Sequence, residues 1–241
     1  MSYLNTFKRY EIKYILDAPE RKELCDLMKD HMKLDKYGKT TIRNIYYDTD
    51  DYRIIRRSLE KPEYKEKLRV RSYSRVRPYD DVFVELKKKY ESVVYKRRVA
   101  LPEYLVNDWL TGGEMIGSSQ IENEIDYFKD FYEGISPKVF ISYEREAYYP
   151  LDDTDLRVTL DGNIVARDTD LTLEKGVYGE NILPRDLTVL EVKVPCTMPL
   201  WLVDFLSERN IRKTSFSKYG SYYQNKITKE NSTLKGGLLY A

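Results

Sequence analysis

The chain has 241 residues, of which 34% are charged and 41% hydrophobic, so it is long enough to bury a substantial core. Its 41 basic and 40 acidic side chains nearly cancel, giving a net charge of +1, so total charge neither indicates nor excludes a polyanionic partner. No apolar run approaches the length of a membrane span, and the N-terminal MSYLNTFKRY has no signal-peptide core. We therefore expect a cytoplasmic protein.

Hydrophobic periodicity predicts an α+β chain in which many short strands alternate with amphipathic helices. We expect strands at 7–16, 40–48, 67–77, 81–90, 92–101, 138–149, 156–161, 163–168 and 187–194, and helices at 18–34, 50–59, 102–111, 118–132, 198–209 and 215–228. This pattern favours an antiparallel barrel decorated by helices. No linker or repeat is evident, so we expect a single domain over 1–228 and a flexible tail over 229–241.

Basic side chains recur at every second position of the predicted strands. In KLRVRSY, Lys67, Arg69 and Arg71 share one face, because successive side chains of a strand point to opposite faces. The same parity places further bases on one face of their strands: Arg9, Lys13, Lys87, Lys89, Lys96, Arg98, Arg145, Arg157 and Lys193. Each strand thus has an ionic face and an apolar face, and outer helices can cover the apolar one.

The ionic faces contain more bases than acids; the acids are Glu11, Glu85, Asp161 and Glu191. An open sheet with solvated charges would explain one such strand, since cross-strand ion pairs contribute little. Inside a barrel, however, two like charges about 6 Å apart repel by roughly 3 kcal/mol at an effective dielectric of about 20. We therefore expect a polyanion, together with a divalent metal, to occupy the interior.

Common catalytic motifs are missing from the sequence. The single histidine, His31, has no nucleophile motif nearby, and Cys25 and Cys196 form no CxxC pair. The GKT at 38–40 lacks the glycine that a P-loop needs five positions earlier, because that position is Lys33. The sequence therefore predicts neither a histidine-based hydrolase nor a P-loop site.

A series of segments along the chain resembles a known family. These segments are RYEIKY (9–14), IYYDTDDY (45–52), KLRVRSY (67–73), VELKKKY (84–90), YKRRV (95–99), SYEREAYY (142–149), LRVTLDGNI (156–164), LEVKV (190–194) and FSKYG (216–220). Over about residues 7–226 they follow the order of the VTC-type polyphosphate polymerase domain, in the CYTH-like superfamily of triphosphate tunnel metalloenzymes. The resemblance implies an eight-stranded antiparallel β-barrel tunnel with a charged interior and helices on the outside.

The resemblance also implies roles for individual residues. Arg69, Arg71 and Glu191 are expected to be catalytic: the arginines bind and polarise nucleotide phosphates, and Glu191 holds Mn²⁺ or Mg²⁺. Glu11 is a second candidate metal ligand, or else it only pairs with neighbouring bases. Further bases are expected to bind phosphates: Lys13, Lys87, Lys96, Arg98, Arg145, Lys193, Lys213 and Lys218.

Several positions leave alternatives open. Asp48 is expected to cap the next helix rather than bind a ligand. Asp161 is expected to begin a DGN turn rather than touch a second metal, and Glu85 is expected to be a charge partner within its face. The family often has a lysine just before the Phe of FSKYG; here that position is Ser215, and Lys213 is the nearest base.

The expected activity follows from the same resemblance. Hydrolytic members typically begin with Glu-x-Glu-x-Lys, whereas Arg9 stands at the first acid here, which favours transfer of the γ-phosphoryl of ATP to a growing polyphosphate chain. A triphosphatase of the same superfamily and a non-catalytic polyphosphate-binding module are the alternatives. Expected partners are ATP, inorganic polyphosphate and a membrane protein that would associate the chain with a membrane. No nucleic acid is expected, because aromatics are not regularly interleaved with the bases.

Overall fold

A computed structural model describes residues 10–91, 93–114 and 117–237, with side chains as far as residue 229. Arg9 lies outside the described residues. The strands are β1 (Tyr10–Leu16), β2 (Met32–Leu34), β3 (Thr40–Asp48), β4 (Tyr64–Ser72), β5 (Asp81–Tyr90), β6 (Val93–Pro102), β7 (Ser136–Pro150), β8 (Arg157–Arg167), β9 (Glu180–Asn181) and β10 (Thr188–Val194). The helices are α1 (Ala18–Met28), α2 (Arg53–Leu59), α3 (Glu103–Leu110), α4 (Gln120–Tyr132), α5 (Leu200–Glu208) and α6 (Lys218–Gly237).

Eight strands form an antiparallel sheet in the order β1-β10-β8-β7-β3-β4-β5-β6, while β2 pairs with β7 and β9 with β8. This arrangement confirms the predicted α+β class and its eight-stranded antiparallel sheet. Within the described residues no backbone ladder joins β1 to β6, so the sheet is not closed. Side chains span this seam, since Lys87 Nζ of β5 lies 3.3 Å from Glu11 Oε2 of β1.

Strand register confirms the predicted common face. Arg69 is the Cα partner of Glu85, which in turn is the partner of Arg98. At the other end of the strand order, Lys13 of β1 is the partner of Glu191 of β10. Because side chains directly opposite in neighbouring strands share a face, these alternating charges form continuous rows across the sheet.

The opposite face of the sheet is apolar and packs against helices. One cluster joins the sheet to α3 and α4 through Leu68, Val84, Leu86, Trp109, Ile125 and Phe128. A second joins it to α1 and α5 through Leu16, Leu24, Val192, Leu202 and Phe205. Burial of these side chains outside the sheet leaves its ionic face directed inward.

Helix α6 is anchored by Asp48. The Asp48 carboxylate accepts hydrogen bonds from the backbone N–H groups of Ile54 (2.9 Å) and Ile55 (3.0 Å), and from the Tyr219 hydroxyl (2.8 Å). The N-cap residue of α2 is Tyr52, so Asp48 does not occupy the predicted cap position. Its carboxylate nevertheless satisfies the first amides of α2, which lack intrahelical partners. The bond from the Tyr219 hydroxyl fixes the first turn of α6 against the sheet.

Several predicted elements differ from the structure. The helix predicted at 18–34 ends at Met28, and Met32 enters the core at the start of β2. The strand predicted at 67–77 starts at Tyr64 and ends at Ser72. The DGN segment is no turn, because β8 runs straight through it. The pairing register of β7 with β8 shifts between Ser142 and Glu144, where β8 has one extra residue, and Asn163 in this bulge has a positive φ of 49°.

The C-terminal helix α6 continues to Gly237, beyond the predicted end at residue 228. Residues 238–241 of the predicted tail lie outside the described residues. None of the helices in the described chain combines the length and the apolar character needed to cross a membrane.

Candidate active site

Glu85 is the centre of a cluster of bases on β4, β5 and β6. Its side chain is 1% exposed, and its Oε2 lies 2.8 Å from Arg69 Nη2 and 3.7 Å from Arg71 Nε. Its Oε1 lies 2.6 Å from Lys96 Nζ and 3.7 Å from Arg98 Nε. One buried acid therefore contacts four predicted phosphate ligands, which together offer many more N–H donors than one carboxylate can accept.

Neutral polar groups hold the two arginines in place. Arg69 Nη1 donates to the Tyr46 hydroxyl at 3.1 Å. Arg71 Nε donates to Asn44 Oδ1 at 2.9 Å, and its Nη2 donates to the Tyr143 hydroxyl at 3.1 Å. Because these partners are uncharged, they orient the guanidinium groups without neutralising them.

Asp161 is a second buried acid on the inner face. Arg145 donates to both carboxylate oxygens, at 2.6 and 2.7 Å, and Lys218 Nζ of α6 lies 2.6 Å from Oδ2. The Asp161 side chain is fully buried. The predicted phosphate ligands Arg145 and Lys218 are thus brought together from β7 and α6 by an acid that was predicted to begin a turn.

A third group lies on β1 and β10, where the two candidate metal ligands occur. Glu191 contacts Lys193 Nζ at 2.7 Å and Lys13 Nζ at 3.8 Å. Glu11 lies 3.7 Å from Lys13 Nζ and 3.3 Å from Lys87 Nζ. Lys13 therefore bridges the two carboxylates, and all five groups occupy one region of the inner face.

The segment that precedes α6 follows the free edge of β1. Thr214 forms an isolated β-bridge with Lys13, through a hydrogen bond from Thr214 N to Lys13 O of 2.8 Å. Lys13 Nζ donates to the Phe216 carbonyl at 3.2 Å, and Lys67 Nζ donates to the Ser217 hydroxyl at 3.0 Å. This bridge directs the segment to the inner basic side chains.

Electrostatic coupling keeps the buried acids ionised. Burial by itself raises the pKa of Glu85, but the adjacent charges of Arg69, Arg71 and Lys96 outweigh it and lower the pKa to about 2. Burial opposes ionisation of Asp161 in the same way, yet Lys218 and Arg145 lower its pKa to about 2. The acids therefore stay charged at neutral pH and hold the bases in position.

Burial and neighbouring charges also shift the pKa values of two lysines and one tyrosine on the inner face. Burial lowers the pKa of Lys87 and of Lys96, against the attraction of their acidic neighbours. Burial alone would raise the pKa of Tyr143, but Arg145, Arg71 and Lys218 lower it to about 8. A positive potential thus extends over the inner face, and it would attract an anion.

One predicted site residue lies elsewhere. Lys213 is exposed and borders a groove beside α5 with Tyr14 and Ser207, on the apolar side of β1. Lys213 lies outside the site because the segment that precedes α6 reaches the inner face of the sheet only after Thr214. Arg98 lies on the inner face, with its Cζ 3.3 Å from the centre of the Phe83 ring.

Four inner-face residues were not predicted from the sequence: Asn44, Tyr46, Tyr143 and Ser217. Asp161 was predicted on the ionic face, but as the start of a turn rather than as a partner of Arg145 and Lys218. Tyr143 shares the parity of Arg145, so its inward direction could be predicted although its hydrogen bond to Arg71 could not. Ser217 adjoins the predicted ligand Lys218, but it gave no signal of its own because it lies in an irregular segment.

The donor set fits a divalent cation that a substrate helps to bind. No cluster of three or more potential ligands among His, Cys, Asp and Glu occurs in residues 10–91, 93–114 and 117–237. Mg²⁺ is nevertheless commonly held by one or two carboxylates together with substrate phosphates. Glu191 and Glu11 provide two such carboxylates, and Lys13 contacts both.

The fold is that of the triphosphate tunnel proteins. A candidate adenylate cyclase from Bacillus halodurans superposes with a TM-score of 0.54 at 13% sequence identity, covering 87% of this chain and 95% of that chain. A candidate adenylyl cyclase from Hippeastrum, with a dominant triphosphatase activity, superposes with a TM-score of 0.52 at 15% identity, covering 90% and 95%. At these identities the likeness shows the fold alone. No curated protein matches the sequence.

The family follows from the sequence itself. The model of the VTC domain matches residues 8–225, so the chain belongs to the VTC domain family. This match confirms the resemblance drawn from the ordered segments, over nearly the same range. The family is a metal-dependent, triphosphate-tunnel type of enzyme.

Proposed function

We propose that the protein is a metal-dependent polyphosphate polymerase, which transfers the γ-phosphoryl of ATP to the end of a polyphosphate chain held in the tunnel. The cluster around Glu85 supports this proposal most directly. Four inward-facing bases share one carboxylate there, so their remaining donors are available to phosphate oxygens. Arginine is well suited to this role because its planar fork can bond two such oxygens at once.

Phosphoryl transfer between two polyanions depends chiefly on positioning and on neutralisation of charge. Arg69 and Arg71 would bind the transferred phosphoryl group, and Tyr46 and Asn44 orient them for it. The attacking oxygen of a polyphosphate end is already ionised at neutral pH, so the reaction needs no strong general base. This requirement agrees with a sequence whose single histidine lies outside the predicted site.

The remaining inward bases would hold the acceptor chain. They lie in three groups around Glu85, Asp161 and Glu191, and each group could bind successive phosphates. Their members are Lys13, Lys87, Lys96, Arg98, Arg145, Lys193 and Lys218.

A divalent cation would be held by Glu191 and Glu11, with substrate phosphates completing its ligands. When bound, Mn²⁺ or Mg²⁺ neutralises part of the phosphate charge. Lys13 contacts both carboxylates, and its ammonium group would keep substrate phosphates close to them.

A triphosphatase is the second candidate. The specific observation in its favour is the Hippeastrum protein of the same fold, whose dominant activity is that of a triphosphatase. Such an enzyme would use the same bases to bind a triphosphate and would release phosphate to water. A membrane-protein partner and a cytoplasmic location stay predictions of the sequence.

Incubation with ATP and Mn²⁺ distinguishes these functions. We expect an acid-stable polymer on a gel, whereas free phosphate without polymer would indicate the triphosphatase. Arg212→Ala, at an exposed position, is the matched control for Arg69→Ala and should retain the activity. If neither product forms but tripolyphosphate still raises the melting temperature, the domain binds phosphate chains without turnover.

A further inference from the structure

Lys67 differs in its partners from Lys87 and Lys96, its neighbours across β5 and β6. It pairs in register with Lys87, which pairs with Lys96, so three lysines lie side by side on the inner face. Lys87 contacts Glu11 and Lys96 contacts Glu85. In the described parts of the chain, Lys67 has no ion pair, and its Nζ donates instead to the Ser217 hydroxyl at 3.0 Å.

The four charged groups with the strongest electrostatic effect on Lys67 are all positive. Lys13 faces it from β1, Lys87 from β5, and Lys65 and Arg69 lie on its own strand. Burial in the first place, and then repulsion by these four groups, lowers the pKa of the Lys67 ammonium to about 7. Near neutral pH this position is therefore partly uncharged.

The acids that contact Lys13 and Lys87, the two bases facing Lys67 from other strands, are already paired. Glu11 contacts Lys13 and Lys87, and Glu191 contacts Lys13 and Lys193. In the segment before α6, the partner of Lys67 Nζ is the neutral Ser217 hydroxyl. An ammonium group has three donors, and one hydroxyl uses one of them. Lys67 thus has unused hydrogen-bonding capacity directed at the tunnel.

We propose that Lys67 and Ser217 form a further phosphate subsite, at which binding of a linked phosphate chain draws a proton onto the Lys67 amine. This inference rests on the phosphate-binding function proposed for the tunnel. The proton comes from solvent and stays on Nζ while the phosphate is bound, and no bond to phosphorus forms or breaks.

The physical reason is electrostatic linkage. A phosphate next to Nζ favours the ammonium form, so the bound state holds more protons than the free state above pH 7. By linkage, affinity then decreases as pH rises, by at most about tenfold per pH unit for one proton taken up. The coupling would make retention of the phosphate chain sensitive to pH near neutrality.

Titration calorimetry with metal-free tripolyphosphate tests this subsite without requiring turnover. At pH 8, in buffers of different ionisation enthalpy, the wild-type protein should take up roughly 0.5–1 more protons per ligand than Lys67→Met, because a group of pKa about 7 is then largely uncharged. Protonation of the ligand itself occurs in both proteins and cancels in this difference, whereas Lys67→Arg, which keeps a charge beside Lys87, controls for uptake by the neighbouring lysines. At pH 6, Lys67→Met should bind about tenfold more weakly, since one charge-assisted hydrogen bond is lost.

Two further variants make the result decisive. Lys67→Arg keeps the charge at all pH values used, so it should retain affinity while losing the extra proton uptake. Lys39→Met, which lies outside the tunnel in an ion pair with Glu144, should match the wild type in both measurements. Equal proton uptake by wild type and Lys67→Arg, or equal affinity of wild type and Lys67→Met at pH 6, would overturn the subsite and leave the proposed function standing. Absence of tripolyphosphate binding to the wild type would overturn the proposed function as well.

Discussion

The inner face of the sheet has two halves that differ in charge. The half formed by β4, β5 and β6, here the basic wall, has a single buried acid, Glu85, among its many bases. The half formed by β7, β8, β10 and β1, here the mixed wall, has three acids: Asp161, Glu191 and Glu11. Each acid of the mixed wall forms ion pairs with two bases, whereas Glu85 contacts four.

This difference in charge suits the two walls to different roles in phosphate transfer. An excess of positive charge on the basic wall favours the transferred phosphoryl group, whose negative charge is spread over several oxygens. The acids of the mixed wall suit a divalent cation, and they also fix Arg145 and Lys218 in place. Breaking one group in each wall should therefore have different consequences.

The largest expected effect is on stability, from Asp161→Asn in the mixed wall. Removing a buried anion leaves Arg145 and Lys218 without their partner, so the free energy of unfolding should decrease by about 3–5 kcal/mol. Urea denaturation measures this decrease. Asp152→Asn, at an exposed loop position, is the control and should change stability by less than about 0.5 kcal/mol. A loss equally small at Asp161 would contradict the structural role of the pair.

Next is the loss of activity from Arg69→Ala or Arg71→Ala in the basic wall. Turnover of ATP should decrease by about 10²–10³-fold or more, because a donor to the transferred group is removed. The fold should persist, since Glu85 keeps its other bases. Circular dichroism checks the fold and product formation checks the activity. Full activity of either variant would refute its assignment.

Acid should weaken both walls in the same pH range. Glu85 and Asp161 have pKa values of about 2 in the folded state, below their values of 4.5 and 3.8 in an unperturbed chain. Their contribution to stability is thus complete above pH 5 and is lost as pH falls towards 2; for Glu85 it amounts to about 3 kcal/mol. Urea denaturation between pH 2 and 7 should show a smaller dependence on pH in Glu85→Gln. An unchanged dependence would contradict the lowered pKa.

Glu191→Gln should weaken metal dependence. An amide is a poorer ligand for Mn²⁺ or Mg²⁺ than a carboxylate, so the metal concentration for half-maximal activity should increase by about 10–100-fold. Glu144→Gln, on the outer face of β7 and paired with Lys39, is the matched control. An unchanged metal requirement in Glu191→Gln would remove this residue from the proposed metal site.

The smallest effect is expected from Lys213→Met, outside both walls. Because Lys213 is exposed beside α5, activity should change by less than about twofold, within about 0.4 kcal/mol. A large loss of activity, measured by initial rates, would show that Lys213 takes part in the site and would contradict its position in the structure.

Much of the inner face could be predicted from the sequence because strand periodicity is strict. Once Arg69 is placed inside, a period of two also places Lys67 and Arg71 inside, and a shift by one residue would expose the apolar set. The pairing of Glu85 with these bases follows from the same parity in the next strand. What parity cannot specify is which strands are neighbours and how far they are staggered.

The errors occurred where the backbone is irregular. Asp161 precedes Gly162 and Asn163, a sequence typical of turns, but β8 continues through it by a bulge that gives β8 one extra residue opposite β7. Lys213 lies close in sequence to Lys218, yet the path between them is set by one β-bridge at Thr214. Such tertiary constraints leave no periodic signal in the sequence.

The open seam also bears on association between molecules. Strand β6 is an edge strand, and one side of its backbone lacks a neighbour in the described sheet. Unpaired edges can recruit strands from other chains, and charged side chains discourage such recruitment. The run Lys96-Arg97-Arg98 points bases to both faces of β6, so two copies meeting edge to edge would repel each other. Lys96 and Arg98, which we assign to phosphate binding, would therefore also protect the protein against aggregation.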